Sequence, residues 1–225
     1  MTFAEQVIEY HFSIDPNWTL PDGISILYPY GEKDVQNVFV EFYSKYFNDH
    51  NKRYFLFGIN PGRFGAGVTG IPFTDPKTLE KECTIYNGFQ KKNELSSIFV
   101  YDFINALGGP REFYTHFYIT SLCPLGFIKD EKNYNYYDDK KLYTAVEQKI
   151  IDNINSQKVF GCHEKVAFSM GKGKNFQYFK KLNGTYRFFK EIVPLPHPRW
   201  VMQYRLKSKG EHVLTYKNEL KKALD

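Results

Sequence analysis

The stretch that most constrains this chain is residues 54–76, where a short apolar segment runs into a glycine-rich loop, YFLFGINPGRFGAGVTGIPFTDP. Tyr54 to Ile59 has the length and aromatic content of a buried strand, and Pro61 with Gly62 ends it. Glycine suits backbone that takes positive φ or lies close to another group. In open α/β sheets, ligands bind just beyond the carboxyl ends of the strands. The stretch therefore predicts a ligand-binding loop or, alternatively, a plain glycine-rich connector. It is not a Walker A loop, because GxxxxGK[ST] is absent from it.

The rest of the chain alternates predicted helices with predicted strands. Apolar residues at helical spacing predict helices over residues 3–12, 32–47 and 111–115, and longer ones ending near Leu107, near Ile154, at Asn183-Gly184 and at the carboxyl terminus. Strands are predicted over residues 54–59, 116–122, 166–170 and 188–195. This alternation predicts one α/β domain over residues 1–225, with three layers and a central, mostly parallel four-stranded sheet. Residues 128–139 are polar and tyrosine-rich, and we expect them to form a solvated loop.

Composition narrows the classes of protein and of site. A chain of 225 residues suits one sizeable core. It has no apolar run long enough to span a membrane and no secretory signal at its amino terminus. Three cysteines, far apart in the sequence, indicate a reducing compartment without a disulfide framework or a four-cysteine cluster, and no Cys/His spacing suggests zinc. We therefore expect no metal and no cofactor, and the net charge of +5 is compatible with a polyanionic partner.

The glycine-rich loop also resembles a specific family motif. Its segment GINPGRFGAGVTGIPF is similar to motif 1 of the single-strand-selective monofunctional uracil-DNA glycosylases, G-M-N-P-G-P-F-G-M-A-Q-T-G-V-P-F. The resemblance implies that Asn60 positions the hydrolytic water and that Phe73 stacks on a flipped base. It also assigns Ile59 and Gly62 to the base pocket. Asp75 is the nearest carboxylate in the loop and an outside candidate for a general base.

A second block, over residues 107–127, resembles the same family. Its two parts, LGGPREF and YITSLCPLGF, are similar to L-C-G-x-P-E-x-F and F-V-H-N-L-C-P-L-x-F. The family's asparagine, which reads the edge of uracil, falls at Ser121. A hydroxyl rotates to suit its partner, whereas an amide offers a donor and an acceptor in fixed geometry. Ser121 is therefore either a less selective base-reading residue or a strand-end hydroxyl that satisfies the backbone.

The third block follows the last predicted strand and reads His197-Pro198-Arg199-Trp200. It looks like an altered version of the family's H-P-S-P-R-N motif. If the two H-P dipeptides are paired, His197 is the catalytic histidine, which donates a hydrogen bond to the pyrimidine O2. If the P-R dipeptides are paired instead, Leu195 takes that position and could not do the chemistry.

Arg199 and Arg205 flank the large side chains of Trp200, Met202 and Tyr204, the composition expected of a segment that fills the gap left by a flipped base. Arg199, Trp200 and Arg205 are accordingly candidates for a wedge or for DNA contacts. The alternative is that Trp200 and Tyr204 pack the start of a helix. The GKGK turn at residues 171–174 could meet phosphates or could be a solvated turn.

Taken together, the three blocks predict a monofunctional uracil-DNA glycosylase of base excision repair. Such an enzyme would act without cofactor, as a monomer, on single- or double-stranded DNA containing uracil, and we expect it in the cytoplasm, at the nucleoid if the source is bacterial. One alternative is a glycosylase for another damaged base, such as hypoxanthine, xanthine or hydroxymethyluracil. The other is a non-catalytic nucleic-acid-binding protein of the same fold.

Overall fold

The computed structural model of the protein describes residues 1–92 and 94–225. Within these ranges the chain forms ten α-helices and seven β-strands. The helices are α1 (Phe3–Ser13), α2 (Lys33–Phe47), α3 (Ala66–Thr69), α4 (Pro76–Lys81), α5 (Leu95–Ala106), α6 (Pro110–His116), α7 (Lys140–Lys158), α8 (Lys174–Tyr186), α9 (Pro198–Tyr204) and α10 (Lys209–Leu224). The strands are β1 (Ser25–Leu27), β2 (Tyr54–Gly58), β3 (Phe117–Ser121), β4 (Gly126–Lys129), β5 (Lys132–Tyr134), β6 (Val166–Met170) and β7 (Glu191–Leu195). In this part of the chain, no helix combines the length and the apolar character that crossing a membrane requires.

The central sheet has four strands in the order β3-β2-β6-β7, and every neighbouring pair is parallel. Gly58 at the end of β2 pairs with Ser121 at the end of β3, and Met170 of β6 pairs with Leu195 of β7. Since all four strands point the same way, the loops that follow them meet at one edge of the sheet. The predicted α/β fold with a four-stranded parallel sheet is confirmed.

Helices cover both faces of this sheet. On one face, Phe55 contacts Phe3 of α1 and Phe57 contacts Phe179 of α8, with ring centroids 6.2 and 4.9 Å apart. On the opposite face, Phe117 stacks on Phe113 of α6 at 5.1 Å. Successive residues of a strand point to opposite faces, so a fully buried strand needs apolar cover on both sides. The chain meets this need with an aromatic-rich core.

The amino end of β2 is anchored by Arg53, a fully buried arginine. Its guanidinium forms two hydrogen bonds with the carboxylate of Asp49, at 2.8 and 2.9 Å, and its Nε donates to the carbonyl oxygen of Tyr114 at 2.7 Å. The rings of Phe3 and Phe47 lie 4.6 and 4.7 Å from the guanidinium. Two-point pairing with a carboxylate and stacking on rings are what the planar fork of arginine allows.

A second sheet, antiparallel and in the order β1-β4-β5, lies where a solvated loop was expected. The prediction for residues 128–139 is wrong, because β5 and half of β4 fall in this range and Tyr136 is almost fully buried. The hydroxyl of Tyr136 donates to Asn175 Oδ1 at 2.8 Å, which satisfies the polar end of a buried ring. The polar composition of this segment does not indicate the contact, because the partner lies 39 residues further along the chain.

One helix end also differs from its prediction. Asn183-Gly184 was expected to close α8, but the helix continues to Tyr186 and ends at Arg187, which takes positive φ (+53°). The Asn183 side chain, instead of stopping the helix, bonds to the backbone N–H and C=O of Phe189 at 2.9 Å each. A tertiary contact therefore outweighs the local stop signal.

Candidate active site

A cleft of about 790 Å³ opens at the carboxyl ends of the four parallel strands. It is lined by nearly every residue that the sequence proposed for the site: Ile59, Asn60, Gly62, Phe73, Ser121, His197, Arg199 and Trp200. Arg205 is the exception, since it lies outside the lining, with its guanidinium 4.9 Å from the ring of Trp200. Asn60 and His197, which are 137 residues apart in sequence, thus line one cleft because the strand ends meet.

Asn60 follows β2 and is held by backbone groups of the second sheet. Its Nδ2 donates to the carbonyl oxygen of Tyr134 at 3.3 Å and to that of Pro61 at 3.4 Å, and its Oδ1 accepts from the N–H of Tyr136 at 3.3 Å. Two acceptors on one side and a donor on the other define which way the amide points. The second lone pair of Oδ1 remains to accept a hydrogen bond from a ligand or a water molecule.

The support of Asn60 continues into the core. Asn175, at the start of α8, accepts from the Tyr136 hydroxyl and donates to the carbonyl oxygen of Gly58 at 3.4 Å. Asn133 Oδ1 also accepts from the N–H of Arg63 at 3.0 Å, which ties β5 to the glycine-rich loop. Sequence reasoning missed these residues, and an isolated tyrosine or asparagine in a polar stretch carries no signal that would have revealed them.

His197 caps the first turn of α9, and this contact fixes its tautomer. Its Nδ1 accepts from the backbone N–H of Arg199 at 3.1 Å, so the ring proton of the neutral imidazole must sit on Nε2. Enclosure of the ring by protein, together with the nearby Arg199 charge, lowers the pKa of His197 to about 4. His197 is therefore a neutral N–H donor at the edge of the cleft, whereas Leu195 is buried in the core. This placement supports the H-P pairing of the third motif.

Phe73 sits in a turn with unfavourable backbone geometry. Its φ is +53°, a region that costs a bulky residue about 1–3 kcal/mol and persists only where the surroundings impose it. The buried Thr69 side chain supplies this constraint, since its hydroxyl accepts from the N–H of Ile71 at 3.1 Å and donates to the carbonyl oxygen of Thr74 at 2.7 Å. The Phe73 ring lies over Gly58, where a β-carbon would come within 3.1 Å of it.

The glycine-rich loop is neither a plain connector nor uniformly open. Gly70 ends α3 at a φ of +74°, and a β-carbon there would lie 2.9 Å from the Tyr30 ring. Gly65 instead allows a close contact: a β-carbon on it would overlap Oε2 of Glu94. Glu94 also lines the cleft. It was not proposed from the sequence, because it stands alone at the head of a helix.

Asp75, the carboxylate that the sequence offered as an outside candidate for a base, is almost fully buried. Its Oδ1 accepts from the N–H groups of Lys77 and Thr78, and its Oδ2 accepts from the N–H of Glu94, all at 2.9 Å. These bonds cap α4 and join it to the start of α5. Asp75 does not line the cleft, so its role is structural.

Ser121 ends β3 at the floor of the cleft and is largely buried. Its carbonyl oxygen accepts from Asn153 Nδ2 at 2.9 Å. Within residues 1–92 and 94–225, no protein group makes a hydrogen bond to the Ser121 hydroxyl, so the backbone-satisfying alternative finds no support in this geometry. The hydroxyl is therefore available to a ligand.

The short helix α9 presents large side chains at the rim of the cleft. Trp200 and Tyr204 are 39% and 66% exposed, whereas Val201 between them is fully buried. Val201 therefore packs the helix against the core and leaves its neighbours to face outward. Trp200 also contacts the ring of His212 at 5.7 Å. The packing alternative for Trp200 and Tyr204 is thus not favoured by their exposure.

The site offers an aromatic face, an oriented amide, a neutral imidazole N–H and a flanking helix with exposed rings and cations. Within the described ranges, no group of three or more His, Cys, Asp or Glu side chains is arranged to hold a metal ion. An aromatic face binds a base and an N–H donor stabilises negative charge, while an amide orients water. Together, these groups suit the hydrolysis of a bond between a base and its sugar.

Comparison with known proteins agrees with this chemistry. The family model of the uracil DNA glycosylase superfamily matches residues 44–221, and the chain belongs to that superfamily. It is a uracil-DNA glycosylase, a hydrolase of N-glycosyl bonds that serves base excision repair.

Among solved structures, the chain is similar to wild-type SMUG2 of Pedobacter heparinus, with 46% sequence identity and a TM-score of 0.97. The match covers 99% of this chain and 98% of that one. This match confirms the resemblance to the single-strand-selective monofunctional type of uracil-DNA glycosylase. None of the curated proteins compared with the chain matches it.

Proposed function

We propose that this enzyme excises uracil from DNA by direct hydrolysis, with Asn60 and His197 as its catalytic residues and Phe73, Ser121, Ile59 and Gly62 forming the base pocket. The observation that carries this proposal is the convergence of the oriented Asn60 amide and the neutral His197 ring on one cleft. No covalent enzyme intermediate is required, and the reaction consumes one water molecule and no cofactor.

In the proposed reaction, the bond between C1′ and the base breaks first, and its electron pair stays on the base. The sugar develops oxocarbenium character, and the oxygen of a water molecule then bonds to C1′, while one proton of that water passes to the base anion directly or through solvent. Asn60 is not basic enough to remove a proton before this stage. Its free Oδ1 lone pair instead accepts a hydrogen bond from the water and holds it on the sugar, which supplies orientation rather than base strength.

His197 acts on the leaving base. As charge develops on the pyrimidine O2, the Nε2–H donates a hydrogen bond to it. The pKa of His197, about 4, keeps the ring neutral at neutral pH, with its one ring proton on Nε2. Removing one donor of this kind typically costs about 10²- to 10³-fold in rate.

A base can reach this cleft only after it leaves the DNA stack, at a cost of a few kcal/mol. We assign Arg199 and Trp200, at the rim, to hold the opened strand or to fill the gap. Arg205 supports Trp200 through its position over the ring. Lys172 and Lys174 also line the cleft and suit contacts with phosphates.

The test is an excision assay with oligonucleotides that carry one uracil, in single- and double-stranded form, in the presence of EDTA. We expect abasic sites that break only under alkali or heat, and Asn60→Ala should abolish most of the product. Loss of activity in the chelator would contradict the cofactor-free mechanism. Trapping of an enzyme–DNA adduct by borohydride would contradict direct hydrolysis.

We further propose that the enzyme works as a monomer in the compartment that holds the chromosome, which is the cytoplasm in a bacterium. One cleft contains all the groups that the mechanism uses, so a second subunit is not needed to complete it. Light scattering after gel filtration tests the first point. Imaging of a fluorescent fusion against stained DNA tests the second.

A further inference from the structure

Glu94 is a carboxylic acid in the cleft that has no part in the proposed hydrolysis. Its backbone N–H donates to Asp75 Oδ2 at 2.9 Å, and its own Oε2 accepts from the Ser97 hydroxyl at 3.3 Å. These bonds fix the residue at the start of α5. Its carboxyl group reaches across to the glycine-rich loop, where only glycine at position 65 leaves room for it.

This contact brings the Glu94 carboxyl close to the base pocket. A β-carbon on Gly62 would lie 4.0 Å from Oε1, and Gly62 is two residues from Asn60. The same cleft is lined by Phe73 and Ser121. Ser121 supplies a single hydroxyl, so the Watson–Crick edge of a bound base lacks the second polar partner that an amide would give.

We propose that Glu94 reads the base, by donating a hydrogen bond from its carboxyl O–H to the exocyclic carbonyl oxygen that deamination creates. The inference rests on the proposed function and adds to it the residue that selects the substrate. Uracil carries O4 where cytosine has an amino group, and hypoxanthine carries O6 where adenine has one. A protonated carboxyl donates to such an oxygen, whereas a carboxylate can only accept and would instead suit the amino group of the undamaged base.

The surroundings of Glu94 favour the protonated form. Burial raises its pKa to about 7, and the nearby Asp75 carboxylate adds to the rise, while the Ser97 hydroxyl and the Arg199 charge oppose it. These groups come from α5 itself, from the start of α4 and from α9. His197 does not titrate in this range, because its pKa lies near 4. A change in base reading near pH 7 can therefore be attributed to Glu94.

The experiment measures single-turnover excision of uracil between pH 6 and pH 9 by the wild-type enzyme, by Glu94→Gln and by Glu94→Leu. The wild-type rate should fall about 10-fold as pH rises through about 7, since one buried hydrogen bond is lost. The rate of Glu94→Gln should not change with pH, because an amide N–H donates throughout. Glu94→Leu should be about 10-fold slower at pH 6. Glu9→Gln, exposed on α1, is the matched control and should follow the wild type.

A second substrate separates base reading from a purely structural role. In 2-pyrimidinone the ring of uracil lacks O4, so the proposed contact cannot form. The preference for uracil over 2-pyrimidinone should fall about 10-fold in Glu94→Leu relative to the wild type. If Glu94 only braces the loop, the substitution will slow both substrates equally, and the proposal fails.

The outcomes also distinguish this inference from the proposed function. Absence of uracil excision at every pH would refute both. Uracil excision that has a flat pH profile in the wild type and is unchanged by Glu94→Gln would leave the proposed function intact and refute the role of Glu94. A flat wild-type profile by itself refutes the role of Glu94, so this outcome does not depend on the folding of a variant.

Discussion

The two ends of β2 differ in whether their polar groups find hydrogen-bond partners within the protein. At the amino end, Arg53 is fully buried, and its hydrogen bonds and ring contacts all come from within the protein. At the carboxyl end, Asn60 and Ser121 retain hydrogen-bonding capacity that no described residue uses, and Phe73 is held in a costly turn. Five strand residues separate a region built for stability from a region built for binding.

The difference shows how the chain divides its polar groups. Buried polar groups stabilise a fold only when they are satisfied, and leaving one unpaired costs about 1–3 kcal/mol. The amino end follows this rule. The carboxyl end departs from it at the cleft, where a substrate can supply the missing partners. Substitutions at the first end should therefore affect stability, and substitutions at the second end should affect rate.

The largest effect on stability should come from Arg53→Met. Loss of the guanidinium leaves the Asp49 carboxylate and the Tyr114 carbonyl oxygen without their partner, and we expect the free energy of unfolding to fall by about 3 kcal/mol. Urea denaturation measures this change, and Lys52→Met, at an exposed neighbouring position, is the control. The rate per folded molecule should be unchanged. A variant that folds normally but excises uracil slowly would contradict the assignment of Arg53 to stability alone.

Asn60→Ala and His197→Ala should affect the rate of excision rather than the stability of the fold. Each should slow excision about 10²- to 10³-fold while changing the urea midpoint little. His50→Ala, an exposed histidine at the amino end, serves as the control and should keep its rate. Protonation of His197 near pH 4 places a proton on Nδ1 and breaks its contact with the Arg199 N–H, so the loss of rate on the acid side should occur near pH 4 rather than near pH 6.5. A strong loss of stability in either variant would show that these side chains also serve the fold.

Thr69→Val tests whether the strained turn is part of the catalytic end. Without the hydroxyl, the turn that carries Phe73 loses two hydrogen bonds, and we expect the rate to fall about 10-fold. Thr69→Ser should restore it. Combined with Phe73→Ala, the Thr69→Val substitution should cost little more, since both act through the same ring. Strictly additive losses would mean that Thr69 acts elsewhere.

Arg199→Ala and Trp200→Ala should have smaller effects that depend on the substrate. We expect a loss of a few-fold more on double-stranded than on single-stranded DNA, because only a duplex opposes flipping with pairing as well as stacking. Parallel assays on the two substrates, with Leu214→Ala on the exposed face of α10 as control, measure the ratio. Equal losses on both substrates would assign α9 to general binding.

The smallest effect should come from Ser121→Asn. An amide at this position adds a donor and an acceptor of fixed geometry, so it should raise the ratio of uracil excision to excision of a second base such as hypoxanthine or xanthine. We expect a change of about 2-fold, because one hydrogen bond can contribute as little as about 0.5 kcal/mol net. Competition between two labelled oligonucleotides gives the ratio. If both rates persist and the ratio stays constant, Ser121 does not read the base.

The sequence was sufficient for the main sheet and for most of the site. The apolar runs of β2 and β6 and the helical spacing of α2 and α5 are local signals, and their predicted bounds agree with the structure to within a few residues. Asn60, Ser121 and His197 were assigned by their resemblance to the family motifs, and each follows or ends a strand of the parallel sheet. The structure brings them to one cleft because the carboxyl ends of these strands meet at one edge.

The remainder depends on tertiary contacts that leave little local trace. Tyr136 is buried by a hydrogen bond to a residue on α8, so its polar segment was misread as a solvated loop. Asp75 and Glu94 are chemically alike, and only their surroundings make one a helix cap and the other a cleft residue. Composition cannot distinguish two carboxylates that differ in what encloses them.

The attachment of Asn60 to the second sheet has a consequence for how activity arises during folding. Its amide bonds to backbone groups 74 and 76 residues further along the chain, so neither sheet alone can orient it. Contacts of long sequence separation form late, because closing a long loop costs conformational entropy before the new contacts stabilise the chain. A chain whose parallel sheet is assembled but whose small sheet is undocked has a core, but its Asn60 amide is not oriented for catalysis. Turnover therefore reports the docking of the small sheet, and a compact chain in which this sheet is undocked would be present but inactive towards DNA.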